Sequence, residues 1–261
     1  MKKLVAPAAL AIMATLTAPA FAANDVKVES LLSNYTFTVG LANYTERYEE
    51  FQGSTKLMQE EANMTAIIGS VSRPLHGGVL TLSGSFASGS SAYTGAYWGG
   101  SYGDVKANGQ DRQVIEVGAS YAFSPFAVPV SFEAGVSYRN LEDHLDQLPG
   151  GYFRENDRVV GSLGVAYHAE IQGWHLTPKA TYKHPIWGEQ YADLMGGVTM
   201  DQDSGHGYDL SLDIERKVGD VAVVVTPYLR TFKVDASEIV SGMYEPENKT
   251  TEKGISVAVK F

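Results

Sequence analysis

The chain ends on GISVAVKF, residues 254–261, a strict alternation of apolar with small or polar residues. Ile255, Val257, Val259 and Phe261 fall on one side of an extended strand; Gly254, Ser256, Ala258 and Lys260 fall on the other. A soluble antiparallel sheet gives this pattern with one face on a core and one in water. A strand of a membrane barrel gives it too, with the apolar face on lipid. The last strand alone does not choose between them.

The opposite end reads MKKLVAPAALAIMATLTAPAFA, residues 1–22. Lys2 and Lys3 form a short basic region, Leu4 to Leu16 an apolar stretch, and Ala20-Phe21-Ala22 a small-x-small cleavage site. This is the pattern of a secretory signal peptide over 1–22, with the mature chain running from 23 to 261. Removing two lysines takes the net charge from −10 to about −12, which argues against a nucleic-acid partner. Cysteine is absent, so disulfide-stapled mini-scaffolds and thiol chemistry are excluded. After the leader no run of 18 apolar residues occurs, and no membrane-spanning helix is expected. The abundance of glycine and tyrosine suits strands and turns better than helices.

Period-two alternation recurs through the mature sequence. In YDLSLDIE, Tyr208, Leu210, Leu212 and Ile214 oppose Asp209, Ser211, Asp213 and Glu215. VSFEAGVSYR (130–139) and VIEVGASYAF (114–123) repeat the pattern, and helical spacing would have mixed the two sets. Segments of this kind, with the breakers between them, predict strands near 33–50, 60–74, 78–97, 111–123, 130–141, 157–170, 174–187, 206–217, 220–234 and 251–261. In the second, Met64, Ala66 and Ile68 compete with Thr65, Ile67 and Val71 for the apolar face. Short connections (PLHGG, SPFAVP, IQG, VGD) alternate with five longer ones, from FQGSTKLMQ to DASEIVSGMYEPENKTT. That is the plan of an outer-membrane meander with tight turns on one side and five long surface loops on the other. The eight residues from Trp174 to Tyr182 climb roughly 20 Å along a tilted strand, close to the height of an apolar band with aromatic edges. Pro178 and Pro227 fall inside predicted strands and are expected at bulges or bends.

Leader, alternating strands, short–long loops and the terminal VAVKF together resemble Gram-negative outer-membrane β-barrel proteins. The resemblance implies an all-β fold: a closed antiparallel up-and-down transmembrane barrel of about ten strands, twelve being possible. It also implies outer-membrane lipid and lipopolysaccharide as surroundings. The barrel-assembly machinery and periplasmic chaperones are implied as partners in biogenesis, with Ile255, Val257, Val259 and Phe261 as the assembly signal.

With apolar faces on lipid, the other faces point inward. The lumen is then expected to carry Glu46, Glu116, Glu133, Glu170, Asp209, Asp213 and Glu215, with Arg139, Arg158, Lys179, Lys183, Arg230 and Lys260. The near balance of sign predicts pairing across a narrow axis, with Glu116, Glu133, Arg139 and Arg158 blocking it. A wet lumen with screened charges is the alternative, and would make a small porin-like channel. The omptin proteases, also ten-stranded, resemble this plan and place paired aspartates and an Asp–His pair above the membrane. Here DHLD (Asp143, His144, Asp146) and DQDSGH (Asp201, Asp203, His206) come in the wrong order for that arrangement. Asp201, Asp203 and Asp209 loosely echo a calcium loop, but Gly205 stands where an oxygen ligand is wanted. The expectation is a non-enzymatic surface barrel without metal or cofactor, whose loops meet an extracellular ligand that the sequence does not identify.

Overall fold

The computed structural model describes residues 34–261 apart from 97–98, 126–127 and 195; the expected leader lies outside the described residues. Ten long strands make the barrel: β1 (Thr36–Gln52), β2 (Thr55–Leu75), β3 (Gly78–Gly95), β4 (Val105–Phe123), β5 (Val130–His144), β6 (Phe153–Tyr167), β8 (Trp174–Ala192), β10 (Gly205–Val218), β11 (Val221–Val234) and β12 (Glu247–Lys260). Two short strands, β7 (Ala169–Ile171) and β9 (Val198–Asp201), pair with β8. Every neighbouring pair is antiparallel, and β12 returns to β1 in register from Thr38↔Lys260 to Phe51↔Glu247. Phe37 and Phe261 exchange both backbone hydrogen bonds at 2.8 and 2.9 Å, and their rings stack at 6.0 Å. The sheet therefore has no free edge at its seam.

The turn-side connections form where the backbone reverses most tightly. His76 and Gly77 both have positive φ (48° and 82°), as do Gln172 and Gly173 (52° and 75°). Two consecutive left-handed residues are what a two-residue hairpin needs to match the twist of its strands.

On the loop side the strands run further than alternation predicts. β2 begins at Thr55 rather than 60, β4 at Val105 rather than 111, and β8 ends at Ala192 rather than 187. The expected first long loop is a two-residue turn at 53–54. The cause is solvent: above the lipid an outward face need not be apolar, so the alternation fades while the ladder continues. Arg47 on β1 and Glu61 on β2 face out there and pair at 2.6 Å.

Below that level the wall is apolar. Leu41, Ile67, Phe86, Val136, Leu163, Leu210 and Val257 are exposed on the outside, the pattern of a lipid-facing belt. Aromatic rings mark its edges. Phe123 packs on Tyr121 and Phe132 on the turn side, where Trp174 also lies beneath the Arg216 guanidinium. Tyr182 meets Tyr208 toward the loop side at 5.5 Å. In β2 the competition is settled by phase: Met64 and Ala66 are buried inside the barrel, and Ile67 faces out.

Neither expected proline sits at a bulge. Pro178 lies in the break between the end of the β6 ladder at Lys179 and the start of the β7 ladder at Leu176, while staying opposite Leu212 of β10. Pro227 interrupts the β10–β11 ladder, which breaks off after Ser211↔Tyr228 and resumes at Ile214↔Val225. Thr226 Oγ1 bridges that gap by donating to Asp213 Oδ1 at 2.6 Å.

Candidate functional site: two interiors in one lumen

Inward positions continue in phase along each strand, and their size and charge divide the lumen in two. In the loop-side half, β1 turns Glu46, Tyr48 and Glu50 inward, β2 Glu60, β4 Arg112, β5 Asp143 and β6 Arg154. Arg112 donates from Nε to Glu46 at 2.6 Å and from Nη1 to Glu60 at 3.1 Å, and lies 3.1 Å from Asp143. Arg154 donates to Asp143 at 2.5 and 3.1 Å and to Glu60 at 2.8 Å, and also pairs with Glu50. Both guanidinium groups flank the Tyr48 ring, at 5.5 and 5.1 Å from its centroid. Tyr48 in turn donates to Glu50 at 3.0 Å and to Glu245 at 3.3 Å.

These side chains are dry. Arg112 keeps 1 % of its exposure, and Glu46 and Glu60 none. Such burial is tolerable because the two guanidinium groups and the carboxylates around them are paired and hydrogen-bonded, with Arg112 Nη2 and Asp143 Oδ1 left without a partner among the described residues. Glu245 enters from the connection between β11 and β12. Burial, with the Glu50 carboxylate next to it, pushes its carboxyl up to about 8. Burial likewise raises the Tyr152 phenol.

In the turn-side half the inward positions are small: Ser70, Ser83, Ser85, Ser120, Gly135 and Ser137. A chamber of about 490 Å³ results. Its charges are paired yet partly solvated. Lys179 binds Glu133 and Lys183 binds Asp209, each at 2.6 Å. Arg230 lies 3.5 Å from Glu252, 3.7 Å from Asp209 and 3.9 Å from Glu116. The Arg230 side chain is 41 % exposed and that of Glu116 26 %. Lys260 and Glu215 pair at 2.9 Å.

Of the residues expected in the lumen, Glu46 belongs to the dry network. Arg139 joins that network to the chamber, donating to Glu46 at 2.8 Å with Glu252 3.6 Å away. Glu116, Glu133, Lys179, Lys183, Asp209, Asp213 and Arg230 line the chamber. Glu170 lies outside the chamber: it is exposed on β7 at the turn-side end, opposite His175 and in the same inward phase as Glu215. Arg158 is buried but forms no ion pair among the described residues, and the expected pairing with Glu116 or Glu133 does not occur. It donates to Asn156 at 3.0 Å, lies over the Phe232 ring at 4.7 Å, and leaves Nε without a partner.

Sequence reasoning missed Glu50, Glu60, Arg112, Arg154 and Glu245 as lumen residues. The first four carry the inward phase of strands already recognised, extended past the apolar stretch. Asp143, expected in a surface loop, is the inward end of β5. His144 beside it packs on Phe153 at 5.1 Å and lies 3.4 Å from Asp146. His206 packs on Tyr208, and Asp201 and Asp203 are exposed. Asp209 faces the lumen on Lys183, so it shares no site with Asp201 and Asp203. Among the described residues no group of His, Asp and Glu has a metal-binding arrangement.

No protein-family model matches the chain, and no curated protein sequence matches it. Solved structures are similar in fold. One is the outer-membrane protease OmpT from Escherichia coli, at 12 % identity over 87 % of this chain and 97 % of that one, with a TM-score of 0.54. Others are the transport unit of the autotransporter AIDA-I from Escherichia coli (9 %, 96 % and 97 %, 0.42) and the β-domain of the Bordetella autotransporter BrkA (11 %, 87 % and 99 %, 0.41). With its closed antiparallel wall of ten long strands and its apolar outer belt, this chain has the fold of an outer-membrane β-barrel.

Proposed function

We propose that the protein is an integral barrel of the Gram-negative outer membrane that passes no solute, performs no chemistry of its own, and acts through its loop face. The observation that carries this reading is the dry ion network, contributed by β1, β2, β4, β5 and β6 and capped by Glu245. A permeant solute would have to part buried charges, each costing several kcal/mol once unpaired. The loop face offers contact surface instead. The connection over 235–246 folds back on itself as a finger: Ser237 N donates to Glu245 O at 2.9 Å, Glu245 N donates to Ser237 Oγ at 2.8 Å, and Val240 bridges Met243. Its tip leaves Ile239 74 % exposed. Val240 and Tyr244 of the same connection are exposed too, and apolar groups clustered outside lipid mark interaction surfaces.

A narrow diffusion channel is the second reading, favoured by the open chamber. Purified protein in planar bilayers separates the two. The expected record is flat; steady unitary current steps would overturn the closed barrel in favour of the channel.

A further inference from the structure

The chamber does more than leave space, and we infer that it is a binding site for a small organic cation, a primary amine with a second polar group. At about 490 Å³ it falls in the size range of small-molecule sites. It is hollow because of residue size: the same ten-stranded wall is packed solid a few residues higher, where serine and glycine give way to arginine, glutamate and tyrosine. The network closes it on the loop side, so a ligand arrives from the turn side.

Charge selects the class of ligand. Five carboxylates line the chamber (Glu116, Glu133, Asp209, Asp213 and Glu252) against three cations, Lys179, Lys183 and Arg230. Each cation already has a carboxylate partner. Asp213 has no cation within 4 Å among the described residues, and the Thr226 hydroxyl, 2.6 Å away, holds its carboxylate in place. An acidic excess inside a low-dielectric wall focuses the field and concentrates cations.

A second observation is independent of charge. Tyr44 is 7 % exposed, lines the chamber with Tyr228, and lies 6.4 Å from it between ring centroids. Neither hydroxyl has a hydrogen-bond partner among the described residues. Neither oxygen is sealed from solvent, so both hydroxyls open onto the chamber with donor and acceptor capacity free for a ligand. A bound amine with a second polar group meets both needs, its ammonium on Asp213 and its far end within the tyrosine pair.

The test is calorimetric titration of the full-length barrel in detergent with 1,4-diaminobutane, with 1,4-butanediol and succinate as neutral and anionic counterparts. Saturable binding of the diamine alone is expected, weakened by high salt and about tenfold or more by Asp213→Asn. Folding of the variant is checked by its shift in gel mobility on heating. Tyr44→Phe, which removes only a hydroxyl, is expected to weaken binding severalfold, and it decides the matter should Asp213→Asn not fold. Equal binding of the diol, undiminished binding in a folded Asp213→Asn barrel, unchanged binding in Tyr44→Phe when that variant decides, or no heat with the diamine would each overturn the assignment.

Discussion

The two halves of the lumen are enclosed by one continuous wall, yet a charge means something different in each. In the loop-side half, Arg154 is held by Asp143, Glu60 and Glu50 with almost no water in reach. In the turn-side half, Lys179 binds Glu133 at a comparable distance with more than a quarter of its side chain exposed. Distance alone does not distinguish these pairs; the size of their neighbours does. Large inward side chains exclude water and turn an ion pair into a structural element. Small ones admit water, and the pair becomes an adjustable part of a surface.

The contrast can be broken by mutation. Arg154→Met leaves Asp143, Glu60 and Glu50 buried with too few partners, and should cost about 3–5 kcal/mol in urea unfolding of the lipid-inserted barrel. A cost under about 1 kcal/mol would mean that water reaches the network. A smaller effect is expected from Glu245, whose carboxyl stands at about 8 in the folded barrel, facing Glu50, Tyr48, Arg154 and Gln190. The folded state keeps a proton that the unfolded chain gives up at ordinary carboxylate values. That contribution is complete at low pH and is lost as pH rises through about 8. The native barrel should therefore lose stability steadily, relative to Glu245→Gln, between about pH 5 and about pH 8, and level off above that. Parallel stability curves for the two proteins would show that Glu245 is solvated. Smallest of the three, Lys179→Met in the chamber should change stability by under about 1 kcal/mol, because water screens what remains. A loss matching that of Arg154→Met would erase the distinction between the halves.

Much of this architecture was legible in the sequence because lipid imposes a rule that residues must follow one by one. Wherever an apolar side chain faces the belt, as at Leu210 or Val257, its neighbours along the strand face inward, and strand existence and order follow. The rule lapses where lipid ends, and so the loop-side extensions of β2, β4 and β8 looked like loops. The network's residues lie at the loop-side ends of the expected strands (Glu50, Glu60, Arg112) or just beyond them (Asp143, Arg154), past the last apolar position, where no lipid-facing neighbour marks their phase. Pairing was less legible still. Arg158 follows the same inward phase as Arg154, but which carboxylate a side chain meets depends on the strand opposite, and nothing along one strand encodes that. The hollow of the chamber is likewise a sum over serines and glycines on several strands, each unremarkable by itself.

The extended strands have a mechanical consequence. A barrel strand needs about nine to eleven residues to cross the hydrocarbon, whereas β2 has 21 and β8 has 19. Roughly half of such a strand stands clear of the bilayer, where no lateral lipid pressure holds the wall round. A hollow tube there would ovalise under load from whatever grips its rim. Arg112 and Arg154 act as cross-struts at that level, tying β4 and β6 to β1, β2 and β5 through the axis. The protruding half is thereby a braced column, its cross-section fixed by ion pairs where the bilayer no longer fixes it.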